Sequence, residues 1–152
     1  MGQVHTPTSL ALKLQSVIRD ALENEISEKM VDIVKEHVEK DVYSVYDPVE
    51  YKRTGELKES LQRAVNSSND GAEIIIDHDD GKMSYWSVVS KDFVDEQQMI
   101  PNAIEYGKIH PLFGVREDFH YLKPRPYMEN SKEEILKKLD GLIVKAITKR
   151  LK

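Results

Sequence analysis

The sequence contains no cysteine, which excludes disulfides, thiol nucleophiles and thiolate-bound zinc and leaves stability to packing and association. It also lacks any apolar run near the roughly eighteen residues of a membrane span. Its start, MGQVHTPTSLALKL, has neither a basic n-region nor a continuous apolar h-region, so no secretory signal is expected and synthesis in the cytoplasm is. Gly2 would suit myristoylation, but the second signal that stable anchoring requires is missing, and no membrane association is expected. An excess of positive charge is missing too. Twenty-two basic against 27 acidic residues leave −5, which argues against a general nucleic-acid binder that works by neutralising phosphates. There is no glycine-rich phosphate loop, and Ser60, Ser67 and Ser84 stand outside any nucleophile-elbow sequence. The five histidines, at 5, 37, 78, 110 and 120, form no i, i+4 zinc pair. No catalytic residue, metal or cofactor is expected.

What is present is a charge-rich chain of 152 residues, 39% hydrophobic and 32% charged, long enough for one domain with a core and short for two. A single domain over 1–152 is expected. Its charge is unevenly placed. Residues 131–152 hold seven basic and three acidic residues, a balance of +4, so the first 130 carry −9. Two explanations fit: Lys145, Lys149, Arg150 and Lys152 complement the negative end of a helix dipole, or the basic helix of one copy lies on the acidic surface of the next.

Thr6-Pro7 suits a helix start, threonine as N-cap and proline at the first helical position. From Leu10 to Val38, apolar residues recur at three- and four-residue steps (Leu14, Val17, Ala21, Ile26, Met30, Ile33, Val34), which predicts a long amphipathic helix. Unbroken to about Asp41 it would reach about 50 Å; the alternatives are a break around Asn24 or full packing within its own fold. The tyrosines around Asp47-Pro48 predict an extended aromatic loop over 42–51. Thr54-Gly55-Glu56-Leu57 predicts a second, short helix with Leu57, Leu61 and Ala64 on one face, ending between Asn66 and Asp70. Ile74-Ile75-Ile76 reads as a buried strand, Asp79-Asp80-Gly81 as a turn, and 83–90 as its hairpin partner. Residues 91–101 read as loop, 102–107 as a strand or one helical turn ended by Gly107, and 110–123 as an irregular excursion. Ser131-Lys132-Glu133-Glu134 has the form of a capping box, followed by the apolar stripe Ile135, Leu139, Leu142, Ile143, Ala146 and Ile147 of a closing helix. The expected class is α+β: a long N-terminal helix, a small, mainly antiparallel sheet, and a C-terminal amphipathic helix packed on it.

Two constellations have ligand chemistry. Asp77-His78-Asp79-Asp80 holds possible metal ligands, but neighbouring strand residues point to opposite faces and Asp-Asp-Gly is a common turn, so a solvated hairpin is expected. Glu56, Asp77 and Lys82 offer the residue types of a magnesium-dependent nuclease at a spacing too permissive to carry weight.

The run YDPVEYKRTGELKESL at 46–61, IEYG at 104–107 and PRPYM at 124–128 together follow a recognisable order. The chain resembles the small head-tail connector, or tail-completion, proteins of long-tailed bacteriophages and prophages, with their YxRTGxLxxS, EYG and RPxM segments. The resemblance makes Tyr51, Arg53, Thr54, Gly55 and Leu57, then Glu105, Tyr106 and Gly107, then Arg125, Pro126 and Met128, candidates for shaping the fold or its subunit contacts. Tyr127 stands where the family often has phenylalanine. Arg53 and Arg125 are expected to pair with a carboxylate such as Glu105, and Gly55 and Gly107 to allow tight turns. The resemblance implies a non-enzymatic virion structural protein. It would be made in the host bacterial cytoplasm and form or complete a ring at the head-tail junction or the head-proximal end of the tail. Other copies and neighbouring connector or tail proteins would be its partners, and DNA would pass without specific binding. The alternatives are a small metal-dependent prophage nuclease and a regulatory protein-binding module.

Overall fold

The computed structural model describes residues 7–45, 54–68, 72–79, 82–83, 85–87, 92–94, 99–107 and 123–151. The expected apolar stripe forms one continuous helical rod: α1 (Pro7–Ala21), a π-helical turn (Leu22–Ile26), α2 (Ser27–His37) and a second π-helical turn (Val38–Tyr43). It does not break at Asn24; it widens there. The backbone stays right-handed helical on both sides of the first wide turn, at Ala21 and Ser27. Local side chains take up carbonyls in and just before that turn, as Ser27 Oγ donates to Glu23 O at 2.9 Å and Asn24 Nδ2 to Asp20 O at 3.1 Å, the back-bonding that accommodates a local change of helical pitch. Val42 and Tyr43, expected in the aromatic loop, belong to the rod because Val42 is buried against the core. Ser44 and Val45 of that loop form a turn, and 46–51 lies outside the described residues.

The next segment departs from the sequence reading. Gly55, at φ +85°, opens a single helical turn, α3 (Glu56–Glu59), and the chain then becomes a strand, β1 (Leu61–Ser67), where a continuing helix was expected. β1 pairs antiparallel with β2 (Ala72–His78) in the register Leu61 to His78 through Ser67 to Ala72. The partner of the isoleucine strand is therefore the preceding segment, not 83–90. Leu57, Leu61 and Ala64 fit a helical step, but Leu61, Val65 and their neighbours also fit the two-residue step of a half-buried strand. The hairpin covers only one face. Leu61, Arg63 and Val65 share the face of His78, Ile76 and Ile74, where Arg63 reaches Glu28 of α2 at 3.1 Å, whereas Ile75, in the middle of the presumed buried run, is 43% exposed. A second, short antiparallel ladder joins β3 (Tyr85–Ser87) to β4 (Asp92–Val94), the latter within the expected loop.

Met99–Tyr106 forms α4, ended by Gly107 at φ +64°, and Tyr127–Leu151 forms the closing α5. Of the expected excursion at 110–123, only Lys123 is among the described residues. α5 runs antiparallel along the rod: Glu134 meets His37 at one end, and Arg150 meets Asp20 and Glu25 at the other. It reaches the sheet at Tyr127, against His78. One core cluster gathers Val34, Val38, Leu57, Leu61, Met83, Tyr127 and Ile135; a second gathers Ala21, Ile26 and Ala146, with Ile74, Leu139 and Ile143 against it. Full burial of Ile26, Val34 and Val38 contributes about 1.5–3 kcal/mol each. No helix among the described residues is long and apolar enough to cross a membrane.

A Cβ at Gly55 would have open space, its nearest neighbour being Glu59 Oε1 at 3.9 Å, so any cost there is backbone strain alone. Gly55→Ala is expected to lower stability by about 1–2 kcal/mol, read as a lower urea midpoint at unchanged slope.

Candidate functional site

The three segments of the sequence pattern converge where α5 begins. Tyr127, in the first turn of α5, is fully buried, and its hydroxyl lies 2.7 Å from His78 Nε2 at the end of β2. His78 Nδ1 lies 2.7 Å from Ser60 Oγ, between α3 and β1, and Ser60 Oγ lies 3.2 Å from Leu57 O. A carbonyl only accepts, so with the Ser60 proton on Leu57 O the hydroxyl oxygen is left to accept from His78. His78 thus carries its proton on Nδ1 and accepts from the Tyr127 hydroxyl on Nε2. The relay runs from Tyr127 through His78 and Ser60 to Leu57 with each donor matched to an acceptor. Burial, reinforced by the negative charges of Glu105 and Asp77, pushes the Tyr127 phenol well above its ordinary range, which keeps it a donor. The rings meet edge to face at 5.9 Å between centroids, a favourable aromatic arrangement.

One turn away, Glu105 of α4 caps α5. Its two carboxylate oxygens accept from the backbone N–H groups of Met128, at 3.0 Å, and Glu129, at 3.1 Å, which satisfies two of the orphan donors of the helix and places a negative charge at its positive end. The N–H of Arg125 donates to Ile104 O at 2.9 Å, pinning the proline segment beside the same turn. Helix α5 therefore starts one turn earlier than the capping-box reading placed it. Ser131 lies inside the helix, buried, donating to the Tyr127 carbonyl. Local sequence offered Ser131 as a cap, but the cap that acts comes from Glu105 in another element.

A further polar cluster ties the far end of the rod to α5. His37, buried, lies between Asp41, at 2.7 Å from Nδ1, and Glu134, at 2.9 Å from Nε2, while Asn130 Nδ2 donates to Asp41 at 2.9 Å. Burial works against the Asp41 charge, yet the hydrogen bonds from Asn130 and His37 outweigh it and hold the carboxyl below its ordinary value of 3.8. Hydrogen bonds from Lys138 and His37 hold Glu134 low as well.

Of the residues named by the sequence pattern, Tyr51 and Arg53 lie outside the described residues. Thr54 Oγ1 accepts from the Glu56 N–H at 3.4 Å, Gly55 and Gly107 take the positive φ their turns require, Leu57 is buried, and Met128 packs against the core. Glu105 accepts from backbone N–H groups with both oxygens. Pro126 is exposed and Arg125 half-buried. Tyr106 is 65% exposed. The supposed metal cluster separates: His78 faces the core relay, Asp77 Oδ1 accepts from the His78 backbone N–H at 2.8 Å, and Asp79 pairs with Lys82 at 3.2 Å. Among the described residues no three acids or histidines group to hold a metal ion. Ser60 and His78 are both buried and lie 2.7 Å apart. His37, Asp41, Asn130 and Glu134 were missed, although the i, i+4 step from His37 to Asp41 was visible.

The YomN family profile matches residues 7–152. The chain belongs to the YomN family. It is 30% identical over 139 residues, covering 91% of this chain and 84% of the relative, to the SPbeta prophage-derived uncharacterized protein YomN of Bacillus subtilis (strain 168). No solved structure matches the chain. The prophage origin of this YomN relative agrees with the phage character of the sequence pattern.

Tyr127→Phe keeps the ring and leaves His78 Nε2 without its donor, so a loss of about 1–3 kcal/mol is expected by urea titration. Ser60→Ala and Tyr127→Phe should be strongly non-additive in a double-mutant cycle, because both belong to one relay. Glu105→Gln removes the charge from the α5 cap at a cost of about 0.5–2 kcal/mol. For Asp41 the folded carboxyl titrates below the unfolded one, so its contribution is present above the ordinary value near 3.8 and is lost as pH falls through the lower, folded value. Stability measured from pH 6 downward should fall in that acid window, and Asp41→Asn should flatten that part of the curve.

Proposed function

We propose that this chain is a non-enzymatic structural component of a phage particle, forming or completing a ring at the head-tail junction or the head-proximal end of the tail. The observation that carries this reading is how the pattern residues divide. Leu57, Ser60, Glu105, Tyr127 and Met128, with His78, close on one another to fix the relative placement of four elements, using side chains of reactive chemistry as structural bonds. Tyr106, between the cap and the turn at Gly107, stays open to solvent as a large aromatic and is offered to a neighbour in this reading. A rigid protomer with an exposed aromatic contact suits a part that works by geometry, and the prophage origin of the YomN relative supports the phage setting.

In this reading the protein is made in the host cytoplasm and carried in the virion. Its partners are other copies and the adjoining connector or tail proteins. Repeated heterologous contacts close around an axis and leave a channel. The acidic body, −9 over residues 1–130, would repel DNA phosphates and let the genome slide past unbound.

Purified phage particles carrying this gene product, labelled with an antibody and viewed by electron microscopy, are expected to show it at the neck. Its absence from intact particles would overturn the reading. Tyr106→Ala is expected to leave the urea midpoint within about 0.5 kcal/mol of wild type and to reduce incorporation into particles.

A further inference from the structure

The lead-in to α5 leaves two pattern residues outside the core. Arg125 is half-buried and Pro126 exposed, and both stand on the wall of a cleft of about 550 Å³ that the second wide turn of the rod and the start of α5 also line. That volume lies within the roughly 300–1,000 Å³ of ligand-sized sites. Its walls are fixed before any ligand arrives, because the Arg125 N–H donates to Ile104 O at 2.9 Å and the Asn130 N–H to Pro126 O at 2.9 Å, and a preformed site spares a ligand the cost of ordering it.

The charge of the cleft is one-sided. Among its described lining residues Lys40, Lys123 and Arg125 are cations and Asp41 is the single carboxylate. Asp41 is committed to the protein: its Oδ2 lies 2.7 Å from His37 Nδ1 and accepts from Asn130 Nδ2 at 2.9 Å. Lys40 and Lys123 are exposed, so the positive surplus is open to solvent. The remaining wall is apolar, formed by Val45, 58% exposed, with Pro124 and Pro126. Prolines carry no N–H, and that of Arg125 is already spent, so the backbone over 124–126 donates nothing to a ligand. The donors on offer are side-chain cations beside apolar rings.

We propose that this cleft binds an extended acidic segment of a partner protein, with carboxylates on Lys40 and Lys123 and apolar side chains on Val45 and the two proline rings. Successive side chains of an extended chain point to opposite sides, so a segment that alternates acidic with small apolar residues brings both chemistries to the cleft at once. Nucleic acid fits less well. It has no use for the apolar wall, and the −9 over residues 1–130 repels a long polyanion, whereas a short peptide carries few charges. The site gives Arg125 and Pro126 a place at a binding surface, and it stands independently of the ring reading above.

The test is fluorescence anisotropy of a labelled, end-blocked heptapeptide of alternating aspartate and alanine, titrated with the full chain, together with nitrogen-15 NMR of the protein to locate the contact. Saturable binding that weakens with salt is expected, with shifts at Lys40, Val45, Lys123 and Asn130. The double variant Lys40→Gln, Lys123→Gln should weaken it by about tenfold or more at an unchanged urea midpoint, since both side chains are exposed. The same peptide with lysine in place of aspartate should not bind. Absence of saturable binding, shifts confined to other residues, or indifference to the double variant would each overturn the proposal. A single-stranded oligonucleotide of equal charge that binds the same residues more tightly would overturn it too, by assigning the cleft to phosphate.

Discussion

The structure turns on a chain of hydrogen bonds buried in its core, from the Tyr127 hydroxyl through His78 and Ser60 to the Leu57 carbonyl. Burying a serine, a histidine and a tyrosine together is costly unless each donor finds an acceptor, and here each does. The relay fixes three chain segments at one point: the turn that becomes β1, the end of β2, and the first turn of α5. Glu105 adds α4 by capping the same helix, and the position of α5 then dictates which faces of the rod are covered. The pairing of Arg150 with Asp20 and Glu25 secures the opposite end, where hydrogen bonding to Arg150 holds both carboxyls below their ordinary values.

This arrangement bears on the uneven charge of the sequence. Part of the basic C-terminal helix is answered within the protomer, by Arg150 and Lys149 on the acidic residues of the rod. Past that point the rod continues with Leu10 and Leu14 exposed.

The long-range features that follow from periodicity were legible in the residues. The stripe from Leu14 to Val38 gave the rod, Ile135 to Ile147 gave α5, and the glycines of TGEL and EYG gave the turns. What failed was what depends on distant partners. The step from Leu57 to Leu61 suits a helix as well as a strand, and only pairing with Ile74 and Ile76 decides between them. Ser131 with Glu134 satisfies the local pattern of a helix start, yet Glu105, more than twenty residues away, competes for that role and wins because it reaches two N–H groups at once. At the site, the importance of the three segments was legible, but the bonds between them were not. His78 sat in an apparent turn cluster, and the relay that claims it draws on Ser60 and Tyr127, separated from it by 18 and 49 positions.

The most direct test of this account is nitrogen-15 NMR of the His78 ring in the folded protein. A neutral imidazole with its proton on Nδ1, slow to exchange with water, and with Nε2 shifted by the Tyr127 hydroxyl is the predicted result. A proton on Nε2, or a ring exchanging freely with solvent, would contradict the relay on which the arrangement of the strands and α5 is argued to depend.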